Sequence, residues 1–133
     1  MTRRSLASLI LVLFCAVSPA LLSQSDARMP PITVPLPPEL LDQEAIMLKV
    51  DLEPGQASQP HRHNAHVLVY VLSGEIEMSV NNGEVLRLGP GETFVETPSD
   101  VHSVSRNASD SEDASFLVVM IKEAGAAVTV PVN

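Results

Sequence analysis

His61 and His63 stand two residues apart, and His102 follows further along the same chain of 133 residues. Successive side chains on a strand point to opposite faces, so residues two apart share a face, roughly 6.6 Å apart along it. Neutral imidazole nitrogens on one face can converge on a cation at about 2.0 to 2.1 Å when a third ligand arrives from a neighbouring strand. His102 is placed to be that ligand, and His66 is the fourth and last histidine. The chemistry is that of a nitrogen-ligated transition metal. The alternative is three ordinary polar residues on a barrel that binds no ion.

The elements that must carry these rings read as strands. Ala45 to Glu53 alternates, with Ile46, Leu48, Val50 and Leu52 against Lys49, Asp51 and Glu53. Val67 to Leu72 is apolar on both faces, as expected of a central strand covered from two sides, one of them by a second subunit. Ile76, Met78 and Val80 alternate with Glu75, Glu77 and Ser79, and Asn81-Asn82-Gly83 supplies residues that tolerate positive φ for a hairpin. Glu84 to Leu88, Glu92 to Thr97, Val101 to Asn107 and Phe116 to Lys122 follow, and Val128 to Val132 is an edge candidate that tolerates Pro131. Short strands divided by glycine-bearing turns, without a helical period, predict an all-β sandwich or small barrel.

The framing of the histidines resembles the cupin superfamily. Its first motif runs glycine, five residues, His-x-His, three or four residues, glutamate, six residues, glycine. Gly55, His61, His63 and Gly74 fit that spacing, but Val67 stands where the glutamate belongs. The second motif resembles the stretch from Gly91 through Pro98 and His102 to Asn107, with Asp100 at the inner glycine and one extra residue on either side. Together they cover roughly Leu48 to Lys122. The resemblance implies a single-domain jelly-roll β-barrel, a metal held by His61, His63 and His102, and a homodimer. It does not select a reaction, because the superfamily spans dioxygenases, isomerases, lyases and non-catalytic binding modules.

Losing the motif glutamate leaves three neutral imidazoles and a more positive site. That suits zinc, copper, nickel or iron and keeps coordination positions open, whereas manganese would prefer the missing carboxylate. Two residues can make good the loss. Glu96 lies two after Phe94, so the pair shares a face, and it is either a fourth ligand or a catalytic acid/base in the site. Its other reading is a rim carboxylate paired with Arg62 or Arg106. His66 is the second candidate, though next to Val67 it faces the other way unless the strand bulges. Asn107 is expected to tie down a strand end.

Residues 1–25 resemble a secretory signal peptide, with Arg3 and Arg4 ahead of an apolar run from Leu6 to Leu22. Residues 26–44 form a proline-rich extended arm, with five prolines between Met29 and Pro38, and residues 45–133 form the barrel domain. Cleavage would remove the single cysteine, Cys15, so that metal must be held by nitrogen and oxygen. The chain carries a formal charge of −8, which argues against nucleic acid, since phosphate binding needs a concentrated basic face. Asp110, Glu112 and Asp113 read as a solvated loop. The expected product is exported, periplasmic or secreted, and not stably membrane-inserted after cleavage. It binds a small polar molecule, as a metalloenzyme of dioxygenase, isomerase or lyase type or as a non-catalytic metal- or ligand-binding module.

Overall fold

A computed structural model describes residues 32–35, 40 and 42–132. The expected signal peptide lies outside the described residues, as does most of the proline-rich arm. Among the described residues all ten elements are strands: β1 (Ile32–Pro35), β2 (Gln43–Leu52), β3 (His61–Arg62), β4 (His66–Ser73), β5 (Ile76–Val80), β6 (Leu86–Leu88), β7 (Thr93–Glu96), β8 (His102–Asn107), β9 (Ala114–Glu123) and β10 (Val130–Pro131). No helix there is long and apolar enough to cross a membrane.

Two five-stranded sheets face each other, ordered β1-β2-β9-β4-β7 and β10-β3-β8-β5-β6, with every pair antiparallel. This is the jelly roll that strand spacing and the cupin resemblance predicted. Alternation decides what lies between the sheets. In β4 Val67, Val69 and Val71 are buried while His66, Leu68, Tyr70 and Leu72 are exposed. The inner residues join Leu52, Ile76, Met78, Phe116, Val118 and Met120 in one core.

Three devices hold the strand ends that frame the site. Asn81 and Asn82 adopt φ of 53° and 55° as the central pair of a tight turn closed by Gly83 N donating to Val80 O at 2.9 Å. Asn107 is buried, and its Nδ2 donates to Leu52 O, Glu53 O and Glu112 O at 3.2, 3.0 and 2.8 Å, tying β8 to the end of β2 as expected. Asp100, in the place of the motif glycine, accepts from Thr97 N at 2.7 Å and from Asn81 Nδ2 at 2.7 Å. It therefore closes the turn that leads into His102 with side-chain bonds rather than backbone freedom.

One charge enters the inner face. Lys122 ends the apolar run of β9, almost fully buried, with Nζ donating to Glu44 Oε1 at 2.5 Å and Ala126 O at 2.6 Å. That pairing carries β2 back to Gln43, ahead of the boundary expected at residue 45. The described part of the extended arm lies along the barrel, where β1 pairs with β2 as an edge strand.

Candidate metal centre

His61 on β3 pairs directly with His102 on β8, so these two rings start from adjacent strands of the second sheet. His63 lies just past β3, before Asn64 takes φ of 48° and swings the chain to β4 in the other sheet. The ring centroids are 4.7 Å apart for His61 and His63, 5.2 Å for His61 and His102, and 6.1 Å for His63 and His102. One nitrogen from each ring lies within 4.8 Å of the others. The structure thus brings the three rings together.

Hydrogen bonding fixes where two of the ring protons are. His61 Nδ1 is 2.7 Å from Gln59 O, and His63 Nδ1 is 2.7 Å from Val128 O. A carbonyl only accepts, so each Nδ1 carries the proton and each Nε2 carries a lone pair. Those two Nε2 atoms face each other at 3.2 Å. Neutral rings leave no proton between them, and a cation is what two converging lone pairs need. His63 is held below its ordinary pKa by desolvation, against the opposing bond to Val128, and a proton on His61 would lower it further, so supplying that cation as a proton is disfavoured. The donor set fits a metal ion.

Glu96 occupies the inner face of β7, 2% exposed, with Oε1 3.3 Å from His102 Nδ1 and 4.0 Å from His63 Nε2. Phe94 shares that face and stacks on His102 at 6.0 Å. Although 3.3 Å is ion-pair distance, alignment is poor: Glu96 Oε1 and His102 Nδ1 both remain buried without a hydrogen bond. Buried polar atoms left this way point to an ion or a proton that completes them. Across the first sheet Val67 pairs with Glu96 on one side and Met120 on the other. A carboxylate is therefore present one strand away from the place where the motif glutamate is missing.

Arg106 pairs with Glu77 at 2.6 Å, so the rim reading of Glu96 with that arginine does not hold. Nor does His66 join the centre. It is exposed at the start of β4, on the opposite face from its buried neighbour Val67, and β4 has no bulge there. Its reading as a fourth ligand is corrected for that reason.

Burial pushes Glu96 up to about 7, helped by the charge of Asp100, and pushes His102 down to about 4, with further lowering whenever His61 or His63 is protonated. Raised acid and lowered base act oppositely on stability. Glu96 contributes stability that is full below its ordinary 4.5 and is lost as pH rises through about 7. His102 contributes stability that is full above its ordinary 6.5 and is lost as pH falls through about 4. In chelator-stripped protein the two slopes oppose each other between those ordinary values. Glu96→Gln removes one of them, so its unfolding free energy should rise by about 2 kcal/mol more than wild type across that window, with a limiting slope of about 1.4 kcal/mol per pH unit. Urea titrations at several pH values read this directly, and parallel profiles for the two proteins would refute it.

The tripod opens onto a cavity of about 460 Å³ between the sheets. Leu48, Val50, Leu52, Val69, Phe116 and Val118 form its apolar wall, while Ser58, Gln59 and Thr129 stand among the other lining residues. Sequence reasoning missed three contributors. Met78 reads as core in its alternation, yet its Sδ lies 3.1 Å from His102 Nε2. Gln59 and Val128 act through backbone carbonyls, which have no side-chain signature.

Comparisons with known proteins agree with the architecture. Residues 48–120, more than half of the chain, match the family described as Cupin domain. An uncharacterized conserved protein with a double-stranded β-helix domain from Klebsiella pneumoniae is similar at 25% identity and a TM-score of 0.53, over 68% of this chain and 76% of that one. The DMSP lyase DddQ from Ruegeria pomeroyi shares the fold at 22% identity and a TM-score of 0.53, over 65% of this chain and 41% of the lyase. A Cupin 2 conserved barrel domain protein from Salinispora arenicola shares it at 20% identity and a TM-score of 0.50, over 71% and 75%. No curated protein matches the sequence.

Proposed function

Because this chain belongs to the cupin superfamily and turns three histidines into its barrel, we propose that it is a small metalloenzyme holding a divalent transition metal through His61, His63 and His102. The approach of His61 Nε2 to His63 Nε2 at 3.2 Å, with both Nδ1 atoms against carbonyl oxygens, is the observation that carries this reading. When bound, such an ion supplies Lewis acidity toward a ligand oxygen. The chain's own residues do the rest. Gln59 O and Val128 O hold two rings in the binding tautomer, and Phe94 fixes the plane of the third. Glu96, raised to about 7, is a proton donor and acceptor at Oε1 beside the tripod. The mainly apolar cavity wall favours a substrate with one chelating polar head and an apolar body rather than a polar one throughout. The reaction is of dioxygenase, isomerase or lyase type.

Two further parts of the reading concern the whole molecule. The chain is an exported protein whose leader is residues 1–25. It is also a homodimer, supported by an apolar row on the outer face of the first sheet. Ile32, Met47, Val119, Leu68 and Val95 are successive cross-strand partners there, and Val95 is 61% exposed.

One preparation tests all three. Full-length protein expressed without a His tag is analysed by native mass spectrometry for metal content, N-terminal residue and subunit number, then screened against diketones, hydroxy-acids and enols. Stoichiometric metal with turnover that Glu96→Gln abolishes is expected. Metal without turnover, and without any effect of Glu96→Gln on ligand binding, would leave a non-catalytic binding module in its place.

A further inference from the structure

From the contact between Met78 and His102 we infer that the Met78 thioether is a fourth donor to the tripod and makes this a copper-selective centre. The inference rests on the three-histidine reading above and replaces its divalent ion by copper, held most tightly in the monovalent state. Met78 stands on the inner face of β5, fully buried, and its cross-strand partner is Ser105 on β8. Its Sδ lies 3.1 Å from His102 Nε2, while His102 Nδ1 faces Glu96 Oε1 at 3.3 Å.

A neutral imidazole has one proton for these two neighbours. With the proton on Nε2, the ring offers it to a thioether, a weak acceptor, and leaves a bare Nδ1 against the carboxyl group. With the proton on Nδ1, the ring faces Glu96 as a donor, and its Nε2 lone pair is opposed to the sulfur lone pairs. The second arrangement gives His102 the same tautomer as His61 and His63, with the proton on Nδ1 beside an acceptor oxygen and a free lone pair on Nε2. It makes Nε2 and Sδ neighbouring donors for one shared cation.

Donor softness and burial then select the ion. Val67 stands in place of the motif carboxylate and Glu96 lies against His102 Nδ1 rather than at the sulfur, so the donor beside Nε2 is a thioether, which favours soft, polarizable cations, cuprous copper above all. The surrounding wall is apolar. Self-energy in such a medium grows with the square of the charge, so a monocation costs about a quarter of what a dication does. Zinc, manganese and ferrous iron lack both advantages.

The test is competition between the stripped full chain and a chromophoric cuprous chelator under anaerobic conditions, with zinc competition run in parallel. Met78→Leu conserves volume and keeps the core packed. It is expected to weaken cuprous binding by about 100-fold or more, beyond what loss of an outer partner gives, while zinc affinity stays within about threefold. Met120→Leu, on the cavity wall in the other sheet, should move neither value. X-ray absorption at the copper edge should show a sulfur scatterer in wild type that Met78→Leu lacks. Copper-loaded wild type without a sulfur scatterer, or equal losses for both ions in Met78→Leu, overturns the inference and leaves the histidine site intact. Failure of wild type to bind either ion more tightly than His63→Ala overturns the parent reading as well.

Discussion

Substituting His63 by alanine is expected to erase the rise in melting temperature that a bound metal ion gives the wild-type protein. A ligand that binds only the native state stabilises it by RT ln(1 + [L]/Kd), about 4 kcal/mol at a thousandfold excess over Kd. For a domain of this size that is a shift on the order of 15 °C. His63 is the ring whose removal should matter most. It is 9% exposed, its Nδ1 is anchored by Val128 O from the segment ahead of β10, and its Nε2 faces His61 at 3.2 Å. Without it the opposed lone pairs are gone and two rings remain, a larger loss than the about 10- to 100-fold that follows removal of an outer partner. His66→Ala is the matched control, because it deletes an exposed imidazole from the outer face of β4. Differential scanning calorimetry with and without metal reads both variants. A shift in His63→Ala as large as in wild type, or one lost equally in His66→Ala, would remove the basis for the tripod.

Those two histidines also show what was legible before the structure. Two-residue alternation pointed His66 away from Val67 but left it a candidate ligand in case the strand bulged, and the regular register of β4 at that point is what separates the two histidines. The same parity put Glu96 on the face of Phe94, and the structure finds both side chains inside the barrel. Strand β5 runs from Ile76 to Val80 as its alternation predicted, and the left-handed Asn81-Asn82 pair follows from residues that tolerate positive φ. Long-range pairing was not legible. Strand β3 is two residues long and exists because Arg62 meets Val130 and His61 meets His102, partners that no local pattern indicates. The start of β2 depends on Lys122, whose buried ammonium needs Glu44, and Met78 looked like any core methionine until His102 was placed beside it. Alternation reports which face a residue takes; it does not report which strand lies across from it.

Gly74→Ala should be the most damaging single methyl in the barrel, costing more than about 4 kcal/mol, a large part of what a domain this size has to lose. Gly74 sits where the chain leaves β4 in one sheet for β5 in the other, with φ of 68°. Its backbone packs against the start of β9. A Cβ there would collide with Asp113 O and come within 2.7 Å of Ala114 Cα and 2.8 Å of Ala114 Cβ. Ala114 is buried, and none of these atoms is the free end of a flexible side chain, so relief requires moving β9 away from β4. Gly125 separates the two components of that cost. It has the same kind of φ, 75°, but nothing lies within 4 Å of its would-be Cβ. Gly125→Ala therefore carries only the left-handed strain, about 1 to 2 kcal/mol, and the excess in Gly74→Ala is steric. Denaturant midpoints of the two variants measure the difference, and Gly74→Ala should also lower metal affinity because β4 to β5 is the route that seats Met78 beside His102. Equal midpoints for the two variants would show that the close approach of Gly74 to β9 does not constrain the fold.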